Sequence, residues 1–255
     1  MKASAPVQST SNSLSNDLSQ RLVVILTVKS AQDLQESLDR LAAQTLHDFD
    51  VFVWNNHRDQ VEAVDDTCMR IADHLPVITV HSYEDFYGRG SQVLARRLRL
   101  RHGYRYVVFL DTGVPFSQRL LTRLWDERQP NTIVAARVWR SDGVRIFPHI
   151  DAEPGEHGFY ANPCGAIVDL GLFTYTQYWS LWPQRYWPLH DAWMSVMAQA
   201  LSWTIVKSSL AIRLPRTDEH DEDPKIRALW GEFNASFVVP QGGRYGEPLY
   251  AGPLP

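Results

Sequence analysis

Tyr104-Arg105-Tyr106-Val107-Val108-Phe109-Leu110-Asp111-Thr112-Gly113-Val114-Pro115 (YRYVVFLDTGVP) is the stretch whose reading decides the fold. The continuous apolar run from Val107 to Leu110 reads as a strand buried on both faces, the kind found inside a parallel sheet. Asp111 therefore stands where this strand leaves the sheet, and in open α/β sheets ligands bind at that C-terminal edge. Taken alone, Asp111 fits a turn-initiating aspartate equally well. A helix follows, with Ser117 as its expected N-cap and Leu120, Leu121 and Leu124 on its inner face.

Upstream, the apolar runs 22–26, 51–54 and 77–80 read as strands. Between them, Ser30 and Asp33 suggest a capping box for a helix through about Leu46, and residues 61–74 form a second helical pattern. Gly88-Arg89-Gly90-Ser91 opens a helix over 92–102, which Gly103 stops. This alternation predicts a doubly wound α/β sheet. Downstream, 132–139 and 144–147 read as strands around a Ser141-Asp142-Gly143 hairpin turn, and 166–170 as another strand. A segment crowded with Tyr and Trp, 172–189, precedes a helix over 191–203, a strand at 204–206 and a short helix near 225–233. Residues 1–20 are expected to be a disordered leader, 21–235 a single domain divided into 21–115 and 116–235, and 236–255 a Gly/Pro-rich tail.

The totals exclude several classes. The 255 residues carry a net charge of -4, which gives no electrostatic case for bulk nucleic-acid binding. No apolar run approaches the roughly 20 residues needed to span a bilayer. Cys68 and Cys164 lack metal-ligand spacing, and a reducing, cytoplasmic setting is expected. Thr27-Val28-Lys29-Ser30 follows the first strand where a Gly-x-Gly-x-x-Gly would stand, and there is no Gly-Lys-Ser/Thr loop. Both absences argue against a dinucleotide oxidoreductase or a P-loop NTPase.

Asn55-Asn56 after the second strand, Gly90 with Ala95-Arg96, Asp111-Thr112-Gly113, Cys164-Gly165 and His190-Asp191-Ala192-Trp193 occur in a telling order. Over roughly 21–210 this order resembles a family-2-like, nucleotide-sugar-dependent glycosyltransferase of the GT-A fold, a mostly parallel sheet with a smaller mixed acceptor-side region. The resemblance implies sugar transfer from a nucleoside diphosphate donor, a UDP-sugar first among them, to an acceptor hydroxyl of unspecified kind, with inversion. It implies donor binding by Asn55, Asn56, Asp111, Thr112 and Arg96, and acceptor binding by Gly165, His190 and Trp193. Asp191 matches the family's catalytic base; read alone, it is an N-cap aspartate. A divalent Mg²⁺ or Mn²⁺ is implied at Asp111, with His220 as a late partner. Gly113 departs from the motif there, because glycine has no side chain with which to ligate. Arg89, Arg96 and Arg97 are then candidate cations for the leaving group. The aromatic segment reads as either a ring-stacking platform or core. Gly113 also leaves room for a rival, a non-catalytic module of the same fold that binds a nucleotide or glycan.

Overall fold

Every residue of Leu22-Val23-Val24-Ile25-Leu26-Thr27 is buried, and this run forms β1 (Leu22–Thr27) within a seven-stranded sheet. The computed structural model describes residues 18–84, 86, 88–140, 150–210 and 224–237. Parallel to β1 run β2 (Phe49–Asn55), β3 (Val77–His81) and β4 (Tyr106–Asp111). The crossovers between them carry α1 (Leu34–Ala42), α2 (Val61–Ile71) and α3 (Arg89–His102). β5 (Thr132–Ala135), β9 (Ala166–Asp169) and β10 (Thr204–Lys207) complete the order β10-β5-β9-β4-β1-β2-β3. β9 is antiparallel to both of its neighbours, so strand direction reverses beside β4. A second, antiparallel sheet holds β6 (Val138–Arg140) between β7 (Ile150–Asp151) and β8 (Tyr160–Ala161).

Alternation along the strands builds one core on each face. Leu22, Val24, Leu26, Val108 and Leu110 pack with Leu34, Leu38 and Leu41 of α1 and with Leu120, Leu121 and Leu124 of α4 (Leu120–Glu127). Val23, Ile25, Val107 and Phe109 face Leu94 and Leu98 of α3 and Trp193 and Met197 of α6 (His190–Ala200). Each such side chain removed from water contributes about 1.5–3 kcal/mol. The aromatic segment joins this second core as two 3-10 turns flanking α5 (Thr176–Ser180), with Tyr178, Trp182 and Tyr186 buried. Trp230 and Phe233 of α7 (Pro224–Phe237) close it. Core packing is therefore the role of most of the aromatic segment.

Several local expectations change. Ser30 caps a 3-10 turn by accepting from Gln32 N at 3.2 Å, and no reciprocal bond from Asp33 forms, because Ser30 N donates to Thr112 instead. α1 ends at Ala42, short of Leu46, and the side chain of the following Gln44 turns inward. Gln44, rather than the Ser117 side chain, serves the start of α4, accepting from Leu121 N at 3.0 Å while donating to Ser117 O at 2.9 Å. The stretch 132–139 divides into β5 and β6 in different sheets, the break fixed where Ala136 N donates to Gly165 O and Asn162 N to Arg137 O. The 141–143 turn and 144–147 strand lie outside the described residues.

Candidate functional site

β1 and β4 pair in flush register, Thr27 opposite Asp111, so both end at one edge of the sheet. Thr112 N donates to Thr27 O at 3.0 Å. The Thr112 hydroxyl accepts from Lys29 N at 2.9 Å and Ser30 N at 3.3 Å and donates to Ser30 O at 3.3 Å. The loops after β1 and β4 are thus strapped together by one buried side chain, which acts on the loops. Lys29 Nζ stands 3.7 Å from Asp111 Oδ2, and 54% of the Lys29 side chain and 32% of the Asp111 side chain remain exposed.

Burial pushes the Asp111 carboxyl above its ordinary range; Lys29 and His190 oppose this shift and the charge of Asp191 adds to it. Those influences place Asp111, Lys29, His190 and Asp191 in one electrostatic neighbourhood. Cys164 belongs to it too: burial raises its thiol, and the Asp111 charge raises it further. Gly165 N donates to Phe109 O at 2.8 Å, which brings the Asn162–Gly165 turn alongside β4.

α6 begins at His190, so Asp191 lies in its first turn and is not the N-cap. Asp191 is 8% exposed. Its Oδ2 accepts from the Tyr160 hydroxyl and its Oδ1 from Ala192 N. Tyr160, on β8, packs against Trp139 with ring centroids 4.8 Å apart and meets the edge of Trp230 at 5.5 Å. Burial, then the neighbouring Asp191 charge, drives its phenol well above the ordinary value. Ser195 fastens the same elements, accepting from Ala161 N and donating to Asp191 O, each at 3.1 Å. Gly88 permits the approach of α3: a Cβ there would lie 2.0 Å from His190 Nε2. Gln92 Nε2 donates to His190 O at 3.2 Å across the same contact.

Other expected site residues are engaged in local contacts. Asn55 is buried, and its amide is occupied by His57 N, His57 O and His81 Nδ1, an Asx turn that shapes the loop after β2. Asn56 follows it, half-buried. Arg96 and Arg89 lie over indole faces: Arg96 Cζ is 5.3 Å from the Trp179 ring and Arg89 Cζ is 4.3 Å from that of Trp187. Cation–π contact of this kind holds α3 to the aromatic segment. Arg97 is exposed. Trp193 offers no acceptor surface: it is 1% exposed, stacks on Trp182 and donates Nε1 to Tyr178 O at 2.9 Å. His220 lies outside the described residues.

The described residues do not fit a divalent cation. Such ions take several hard oxygen ligands. Here Asp111 already faces an ammonium, Gly113 supplies no side-chain donor, and no group of three or more His, Cys, Asp or Glu suited to a metal occurs among the described residues. Lys29 and Tyr160 went unmarked in the sequence. Lys29 could have been found as the first charge beyond a strand sharing an edge with Asp111; Tyr160 carries no local signal.

No protein-family model matches the chain, and no curated protein matches it. Solved structures do. The S. aureus TarS 1-349 complex with UDP is 14% identical, covers 75% of this chain and superposes with a TM-score of 0.51. The complex of the same fragment with UDP-GlcNAc is 15% identical over 75% of this chain, TM-score 0.53, and TarS 1-349 is 15% identical over 87%, TM-score 0.53. This chain spans 59% of the first of these. The likeness is one of fold: the protein has a GT-A-like α/β architecture, a mostly parallel sheet flanked by helices with a separate small antiparallel sheet. No described helix is long and apolar enough to cross a membrane.

Proposed function

We propose that the protein transfers a sugar from a nucleoside diphosphate donor, with a UDP-sugar the first to test, to an acceptor hydroxyl with inversion. The observation that carries this reading is the nearness of Asp191 to Asp111 at the end of β4 in a GT-A-like sheet, where the Asp191 charge acts on the Asp111 carboxyl. Support for the uridine nucleotide comes from the TarS complexes with UDP and UDP-GlcNAc. In the reaction, the acceptor oxygen bonds to the anomeric carbon as the carbon–oxygen bond to the diphosphate breaks. The electron pair of that bond leaves with the nucleoside diphosphate, and the acceptor proton passes to the Asp191 carboxylate. Asp111 holds the donor from the end of β4, the Asn55-Asn56 turn faces its base, and Gly165 and His190 border the acceptor.

A second reading, a nucleotide- or glycan-binding module without turnover, is favoured by the low exposure of Asp191 and the engagement of both its oxygens. Incubation with UDP-sugars and an acceptor panel, read by UDP release, separates the two. Transfer by the wild-type protein, abolished in Asp191→Asn while UDP affinity and Tm hold, is the expected result. Asn can keep the bond from Ala192 N on its oxygen while its Nδ2 donates to the Tyr160 hydroxyl oxygen, so its fold should persist. Donor binding without turnover in the wild type selects the module, and full turnover in Asp191→Asn removes the base from this residue.

A further inference from the structure

We propose that the Lys29 ammonium grips the diphosphate of the bound nucleotide, standing where the fold would otherwise call for a divalent cation. This rests on the nucleotide-sugar reading above. Four observations converge on Lys29. Its ammonium lies at the C-terminal edge of β1, beside Asp111 at 3.7 Å, where ligands of open α/β sheets bind. One contact to Asp111 leaves donors on the three-donor ammonium, and more than half of the side chain reaches solvent. Its backbone is fixed by the Thr112 hydroxyl, so the charge is tethered to the Asp111 loop. A tethered point charge is a common phosphate ligand.

An acidic side chain at position 113 is disfavoured by the loop geometry. Gly113 has φ +81, a left-handed conformation that glycine adopts freely and residues with a Cβ adopt at a cost that is smallest for Asn and Asp. Asp33 Oδ2 lies 3.1 Å from where that Cβ would be, so an acidic side chain would also meet a like charge. Of the three arginines offered by the sequence, Arg89 lies over Trp179, Trp182 and Trp187, Arg96 lies over Trp179, and Arg97 is exposed. Among the described lysines and arginines, Lys29 is thus the one paired with Asp111, with His190 also acting on it.

The test is calorimetric titration of the full chain with UDP, dTDP, CDP, ADP and GDP, in EDTA and again in MnCl₂. One nucleotide should bind with the same Kd in both buffers. Lys29→Gln should raise that Kd about tenfold or more, the scale of a lost charge-assisted hydrogen bond, and Lys29→Arg should restore most of it. Binding should also weaken with added salt, since the ammonium is largely exposed. Binding that requires Mn²⁺, or that Lys29→Gln leaves unchanged, overturns the assignment and spares the glycosyl-donor reading. Absence of binding to all five nucleotides in both buffers overturns both. The chelator comparison uses the unmodified protein, so it decides whether or not a variant folds.

Discussion

The Tyr160 hydroxyl, on the small antiparallel sheet, donates its hydrogen bond to Asp191 Oδ2, at the start of the helix that faces the sheet edge. The small sheet therefore meets α6 at one carboxylate. Tyr160 is held between Trp139 and Trp230, so its hydroxyl cannot swing away without disturbing two rings. Tyr160→Phe keeps the ring packing and removes only the donor. Hydrogen bonds to charged groups are worth about 1.5–3 kcal/mol. Transfer should fall about tenfold in kcat with donor KM unchanged, and thermal melting should show a loss of a few degrees. A Tyr160→Phe variant with wild-type kcat would remove Tyr160 from the positioning of Asp191.

Asp111→Asn should trade binding for stability. Burial raises the Asp111 carboxyl in the folded protein, so the folded state favours its protonated form. Its linkage contribution is thus fully present below the ordinary carboxylate pKa and is lost as pH rises through the raised folded value. Removing the charge should give a higher Tm than wild type at pH 7. The gap should close on acidification toward pH about 4, near the unfolded carboxylate pKa. Melting curves across that range, paired with nucleotide titration at pH 7, check both halves: a lower Tm at pH 7, or undiminished nucleotide affinity, contradicts the trade.

Gly113→Asp would restore a two-carboxylate motif to the sequence without restoring its geometry. The left-handed backbone costs about 1–2 kcal/mol for a residue with a Cβ, and least for Asn and Asp. The new carboxylate would also face Asp33, whose Oδ2 is 3.1 Å from the Cβ position. A Tm several degrees below wild type is expected, at about 2–4 °C per kcal/mol for a chain this size. Asp33→Asn should recover part of that loss. A gain of Mn²⁺-dependent nucleotide binding in Gly113→Asp would show the loop to be more adaptable than its hydrogen bonds suggest.

What could be read from the residues was what a continuous apolar run dictates. β1 and β4 are buried on both faces, so their sequences carry an unbroken signal, and the edge position of Asp111 follows from where that signal stops. The division of 132–139 between two sheets left no such mark, because Ala136 and Arg137 turn through tertiary hydrogen bonds to Gly165 and Asn162. The role of Gln44 at the start of α4 was hidden for the same reason: its partner Leu121 is distant in sequence. Trp193 shows the converse. A tryptophan two residues after a candidate base fits an acceptor surface by spacing, yet helical periodicity turns it into the core beside Trp182. Lys29 and Tyr160 acquire meaning only once the strands bring their partners to them.

The reversal of strand direction beside β4 also governs how the chain is assembled. β1, β2, β3 and β4 join through helical crossovers close in sequence, whereas β9 reaches β4 only after β5, α4 and the small sheet have been threaded. Until β9 docks, β4 is a bare sheet edge, a template for pairing with another chain. Crowded nascent chains cut short between β4 and β9 would therefore be expected to aggregate, whereas chains that extend past β9 and α6 bury that edge within themselves.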